Sequence, residues 1–156
     1  MLKKSIGIRA IPDTVYYSII ENNLENFTLI ECSKIKLPKA MEFPQQLHHL
    51  RTTFLTMIKN QRINCGGLRL IESNSRNVNH QRLNIEGVFQ ELIAGSNIEK
   101  FVFGQIATIC SKLNIERKNY KKYINNELDF ELVANWENFR EEEKDSIFAA
   151  LAALRI

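Results

Sequence analysis

The stretch Lys3–Glu21, KKSIGIRAIPDTVYYSIIE, reads as two strands and the turn between them. β-branched and aromatic residues run through Lys3–Ala10 and again through Val15–Glu21. Pro12-Asp13 between them is a turn signal, because proline presets its own φ and aspartate bonds back to nearby backbone. Arg9 falls at the end of the first strand, where a guanidinium brings permanent positive charge and no acceptor atom.

Working outward, Asn26–Lys36 (NFTLIECSKIK) alternates apolar and polar residues and predicts a third strand, following the turn region ENNLEN. Short connections between three consecutive strands imply an antiparallel meander. Pro38 and Pro44 punctuate a loop. Leu47, Leu50, Phe54, Leu55 and Ile58 then recur at helical spacing through Lys59, a helix of about four turns. Gly67–Ile71 reads as a short strand ending at Glu72 and running into the polar loop SNSRNVNHQ. A second helix is expected over Gln81–Ala94, with Leu83, Val88, Leu92 and Ile93 toward the core and Gly95 as its stop. Lys100–Phe103 (KFVF) predicts a buried strand and Ile106–Leu113 a short helix. The tail Trp136–Ile156 closes in SIFAALAALRI, whose alanines permit a helix to pack closely on a sheet. The order β-β-β-α-β-α-β-α, with right-handed crossovers, predicts an α/β fold: a mixed five-stranded sheet, three strands antiparallel and two reached in parallel, flanked by helices.

Length and composition agree with one domain over residues 1–156. A chain of this size buries roughly 70% of its unfolded surface, and 44% hydrophobic with 25% charged residues is ordinary for a soluble globular protein. No apolar run approaches the roughly 20 residues of a spanning helix, and MLKKSIGIRA lacks the apolar core of a secretory signal, so a cytoplasmic protein without membrane contact is expected. Cys32, Cys65 and Cys110 are widely separated and form no CxxC, and His48, His49 and His80 complete no zinc pattern. The net charge of +3 is uneven. Residues 1–70 hold ten basic and five acidic residues (+5), and 71–156 hold eleven and thirteen (−2).

Three local patterns, taken with this element order, resemble the RuvC-type Holliday-junction resolvases of the ribonuclease H-like superfamily. IGIRAIPDTVYYSII resembles the family's opening strand and turn, LRLIESN resembles the fourth strand with its catalytic Glu at Glu72, and EEKDSIFAALAAL resembles the carboxy-terminal helix, whose paired acids match Glu142 and Asp145. The resemblance implies a two-metal phosphodiesterase, in which Mg²⁺ or Mn²⁺ ions held by oxygen ligands activate water and stabilise the leaving oxygen. It also implies an acid at the end of the first strand bridging both ions. Arg9 stands there instead, and a guanidinium cannot ligate a metal. Two readings follow. Either the metal centre is dead and an Arg9 salt bridge to Glu72 or Asp145 substitutes for the cations, or Asp13 folds back to restore a ligand. A one-residue register slip, turning Arg9 away, belongs with the second reading.

A basic stripe lies in NIERKNYKKYINN. On a helix Arg117 with Lys121, and Lys118 with Lys122, stand one turn apart and suit phosphates, while Tyr120 and Tyr123 suit base stacking if exposed. The alternative is a solvated helix face with both tyrosines partly buried. Arg69, Arg76 and Arg82 flank Glu72 and add positive potential there. Arg51 and Lys59 lie on the first helix, whose family counterpart contributes to dimer contacts, so a homodimer is a possible assembly.

The leading expectation is a catalytically eroded resolvase-like protein that binds DNA or a protein partner and needs no cofactor. The alternative is an active Mg- or Mn-dependent, structure-selective endonuclease with Glu72, Glu142, Asp145 and Asp13 at its centre, Glu72 and Asp145 holding metal. A third is a structural subunit of a larger complex.

Overall fold

The computed structural model describes residues 2–23 and 26–156, so the ENNLEN connection lies partly outside the described residues. Strands β1 (Lys3–Ile11), β2 (Thr14–Asn23) and β3 (Asn26–Lys36) form the meander. They are followed by α1 (Phe43–Asn60), β4 (Cys65–Arg69), α2 (His80–Ala94), β5 (Lys100–Gly104), α3 (Ile106–Leu113), α4 (Arg117–Ile124), a 3₁₀ turn at Trp136–Asn138 and α5 (Glu141–Leu154). The sheet order is β3-β2-β1-β4-β5, with β1–β2 and β2–β3 antiparallel and β1–β4 and β4–β5 parallel. This is the mixed five-stranded sheet expected from the sequence. The β2–β3 ladder shifts register between Ile19 and Ile20, a bulge that leaves Ile30 without an opposite number.

Several boundaries move by a few residues. β4 begins at Cys65 and ends at Arg69, so Glu72 lies three residues past the strand rather than at its end. α1 starts earlier, at Phe43, because Pro44 fits a first helical turn and Glu42 and Gln45 form a capping box ahead of the periodic residues. In α2 the buried stripe is Ile85, Phe89, Leu92 and Ile93, whereas Leu83, expected in the core, is 39% exposed. That face follows the 3.6-residue period back from Ile93 and misses Leu83 by most of a quarter turn.

Two half-cores lie on opposite faces of the sheet. One face of β1 (Ile6, Ile8, Ala10) packs with Val15, Tyr17, Ile19 and Leu68 under α1 and α2. On the other face α5 lies directly against β1 and β4, and residues Lys144–Leu154 are all buried. Gly7 and Gly67, paired in the parallel register, permit this approach. A Cβ on Gly7 would collide with the Ser146 carbonyl oxygen and the Ala150 nitrogen, and one on Gly67 with the Ala149 carbonyl. The obstructing atoms are helix backbone and have no rotamer by which to yield.

Beyond α5, the segment from α4 to the 3₁₀ turn wraps its outer side around Phe148. The Phe148 ring lies 5.2 Å from Tyr120, 6.1 Å from Tyr123, 5.0 Å from Phe130 and 4.9 Å from Trp136. Lys144, buried on α5, ties that segment down by donating to the Ile124 carbonyl and the Asn126 side chain, with its ammonium 5.6 Å from the Trp136 ring. Burial lowers the Lys144 pKa from its ordinary value. Among the described residues no helix is long and apolar enough to cross a membrane.

Candidate functional site

Register explains the site. Side chains alternate along a strand, so Arg9, two residues after Gly7, shares the α5 face, as does Arg69, two residues after Gly67. Arg9 and Arg69 are also partners across the β1–β4 ladder. Two guanidinium groups therefore stand side by side at the carboxyl ends of adjacent parallel strands, beneath the first turns of α5. Asp145, which that helix supplies, meets them both.

Arg9 Nε donates to Asp145 Oδ2 at 2.9 Å, and its Nη1 donates to its neighbour's carbonyl, Ala10 O, at 3.1 Å. Arg69 Nε lies 3.9 Å from Asp145 Oδ1, its Nη2 lies 3.3 Å from Glu72 Oε1, and its Nη1 donates to the Leu70 carbonyl. The Tyr120 hydroxyl donates to Asp145 Oδ1. Asp145 is 7% exposed and Arg69 6%, so the centre of this network is shielded from water. Burial, with the Asp145 charge next in weight, raises the Tyr120 pKa well above its ordinary value and keeps the phenol protonated as a donor.

Glu72 is attached to the same network from the loop after β4. Its Oε1 accepts the Ile106 N–H at 2.9 Å, capping the first turn of α3, while pairing with Arg69. A third arginine joins from α2. Arg82 Nε donates to Glu86 Oε2 at 2.8 Å, and Glu86 Oε1 accepts the Ile71 N–H at 3.0 Å. Glu86 is 2% exposed. Burial lowers the Arg82 pKa, and the positive charges of Arg9 and Arg69 act in the same direction.

The remaining residues singled out by the sequence fall elsewhere. Asp13 is exposed on the β1–β2 turn, where it accepts the Thr14 hydroxyl at 3.1 Å and makes no contact with Glu72 or Asp145. Glu142 lines a polar hollow with Asn125, Asn126 and Arg140 and joins neither acid. Tyr120 requires a correction: at 1% exposure, with its ring on Phe148, it cannot stack on a base. Tyr123 is half-buried, its ring edge-on to Phe130 and Phe148, so it too belongs to the aromatic cluster. Arg117, Lys118, Lys121 and Lys122 are exposed on the outward face of α4, Lys118 pairing with Glu116 at 3.1 Å. Arg76 is exposed in the loop after Glu72. Arg51 reaches Glu91 on α2 at 2.9 Å.

Sequence reasoning places Arg69 only as a flanking charge and passes over Glu86. The signal for Arg69 is a charged residue interrupting the apolar run CGGLRLI. Glu86 has none beyond its i,i+4 spacing from Arg82.

A divalent metal does not fit this donor set. Both Asp145 oxygens face cationic or hydroxyl donors, Glu72 is held by Arg69 and a helix N–H, and two guanidiniums occupy the space between the strands and α5. Among the described residues no group of three or more His, Cys, Asp or Glu is arranged to hold a metal ion.

The chain has a ribonuclease H-like fold of the RuvC form. Thermus thermophilus RuvC in complex with a Holliday junction substrate superposes on 97% of this chain and 93% of its own, with a TM-score of 0.72 and 7% sequence identity. A second structure of Thermus thermophilus RuvC gives 0.69 and 9% over the same shares. No protein-family model and no curated protein sequence matches the chain. At these identities the common property is the fold.

Proposed function

We propose that this protein is a resolvase-fold nucleic-acid-binding protein, active in the cytoplasm, whose metal-dependent nuclease centre has been replaced by an internal guanidinium–carboxylate lock. The observation that carries the reading is Asp145 held between Arg9, Arg69 and Tyr120. A carboxylate that accepts from a cationic donor at one oxygen and a hydroxyl at the other is a poor ligand for Mg²⁺, and the arginine charges repel a divalent ion. Binding is the role that survives. The exposed stripe of Arg117, Lys118, Lys121 and Lys122 supplies phosphate contacts. The RuvC of similar fold is seen with a Holliday junction, which favours branched DNA as the ligand class.

The test is incubation with four-way junction, flap and single-stranded DNA in Mg²⁺ or Mn²⁺, with binding followed in parallel. The expected result is binding without cleavage. Cleavage that disappears in Glu72→Ala would sink the reading and establish an active endonuclease. Changing both Lys121 and Lys122 to Ala should weaken binding and flatten the slope of log affinity against log salt by about 1.8, because each phosphate left unneutralised removes roughly 0.9. Absence of binding at low salt would favour a subunit that contacts only protein.

A further inference from the structure

We propose that the end of the sheet where Arg9, Arg69 and Arg82 converge is an oxyanion site for a phosphoryl group, an inference that rests on the replacement of the metal centre argued above. Arg9 and Arg69 bend over the ends of β1 and β4, each donating to the carbonyl of the following residue. Arg82 comes to the same end from the opposite face of the sheet, anchored through Glu86 to the backbone of Ile71, two residues past Arg69.

The hydrogen-bond accounting is one-sided. Each guanidinium carries a planar fork of five N–H donors. Arg9 donates through Nε and Nη1, Arg69 through Nη1 with Nη2 in ion-pair range of Glu72, and Arg82 through Nε alone. Arg69 Nε and Arg82 Nη2 are shielded from solvent with no hydrogen-bond partner. The acids are already engaged: both oxygens of Asp145 and both of Glu86 accept hydrogen bonds. The cluster is formally balanced in charge, yet the N–H groups of its three guanidiniums outnumber the hydrogen bonds they make.

The helix that carries Arg82 in its first turn adds to this. The first turn of α2 contains no acid, so the positive end of a 15-residue helix carries no carboxylate from its own residues. By contrast, Glu72 already caps α3. Arg9 and Arg82 side chains keep 16% and 13% exposure and Glu72 keeps 23%, so the cluster reaches the surface. A ligand with several oxygens and negative charge satisfies the free donors, and guanidinium forks match phosphate geometry. A free phosphate and a phosphodiester of a nucleic acid share that chemistry.

The experiment is thermal unfolding of the full chain in increasing inorganic phosphate against chloride at matched ionic strength, on the wild type and three variants. Wild type should be stabilised saturably. Arg82→Gln should lose about tenfold in apparent phosphate affinity, the scale of one charge-assisted hydrogen bond. Glu72→Gln, which removes a competing charge and keeps an acceptor for Ile106, should bind phosphate more tightly. The Lys121→Ala/Lys122→Ala variant should respond like wild type, so a failure of the α4 DNA surface is distinguishable from a failure of this site. Equal stabilisation by phosphate and chloride, or an unchanged phosphate response in both Arg82→Gln and Glu72→Gln, overturns the proposal. Displacement of a bound labelled oligonucleotide by phosphate, lost in Arg82→Gln, assigns the site to a phosphodiester. Saturable phosphate binding without displacement assigns it to free phosphate.

Discussion

Asp145 shows how one residue can change from ligand to lock without changing identity. Its carboxylate offsets the buried Arg69 guanidinium and the partly buried Arg9 guanidinium at once, and its removal leaves both with reduced compensation in a poorly solvated setting. Breaking a buried pair from one side costs about 3–5 kcal/mol, much more than an exposed pair is worth. Asp145→Ala should therefore lower stability by about that amount in urea titration. Glu91→Ala, which cuts only the exposed Arg51 pair, should change it by less than about 1 kcal/mol. A loss at Asp145 no larger than at Glu91 would show that the guanidiniums are hydrated and the lock is loose. Arg9 can be recognised in sequence as a cation in an unexpected place, because the strand around it is strongly patterned. Its partner across the ladder cannot, since the Arg9–Arg69 register spans sixty residues and no local pattern encodes it. Tyr120 is misleading for a different reason. The basic residues of an eight-residue helix draw attention to one face, while Tyr120, Tyr123 and Ile124 mark the other as the buried one.

At the scale of elements, the paired glycines govern how close α5 comes to the sheet. The carbonyl and amide groups that a new Cβ would strike belong to the middle of the helix, so the helix must lift as a body. Overpacking a core usually costs about 1–3 kcal/mol, and an obstruction made of backbone belongs at the upper end or beyond. Gly7→Ala and Gly67→Ala should each destabilise by about 3 kcal/mol or more in equilibrium unfolding. Gly87→Ala, where nothing lies within 4 Å of the added methyl, should be neutral or stabilising through its gain in helix propensity. Equal effects at all three positions would contradict the close approach described. The elements themselves are mostly legible in the sequence. Period-two alternation marks the meander, a 3.6-residue period marks α1, and the alanines of α5 announce close packing. The start of α1 and the end of β4 are less so, because caps and ladder partners, rather than hydrophobic pattern, decide where elements stop.

For the whole molecule, the two half-cores share an alkaline weakness. Tyr17, in the half-core beneath α1 and α2, is pushed up to about 12 by burial and by its 2.7 Å hydrogen bond to Glu31. Tyr120, on the opposite face, is raised well above 10 by burial and by Asp145. A raised tyrosine keeps its proton in the folded state while the unfolded chain ionises near pH 10. Folded molecules then hold more protons, and stability falls as pH rises. The contribution is complete below pH 10 and lost between 10 and about 12. Urea midpoints measured from pH 9 to 11.5 should decline, and Tyr17→Phe should make that decline shallower. An unchanged slope in the variant would show that Tyr17 titrates normally in the folded protein.

The register shift in β2–β3 bears on how separate molecules meet. β3 is one margin of the sheet, and an unpaired margin is a template on which further chains can polymerise as strands. The extra residue at Ile30 twists that margin, and Lys34 and Lys36 place repeated positive charge along it. Two copies brought edge to edge would set like charges against each other across a bent ladder. The opposite margin, β5, is only five residues long. The fold thus discourages its own fibrillation at both ends of the sheet.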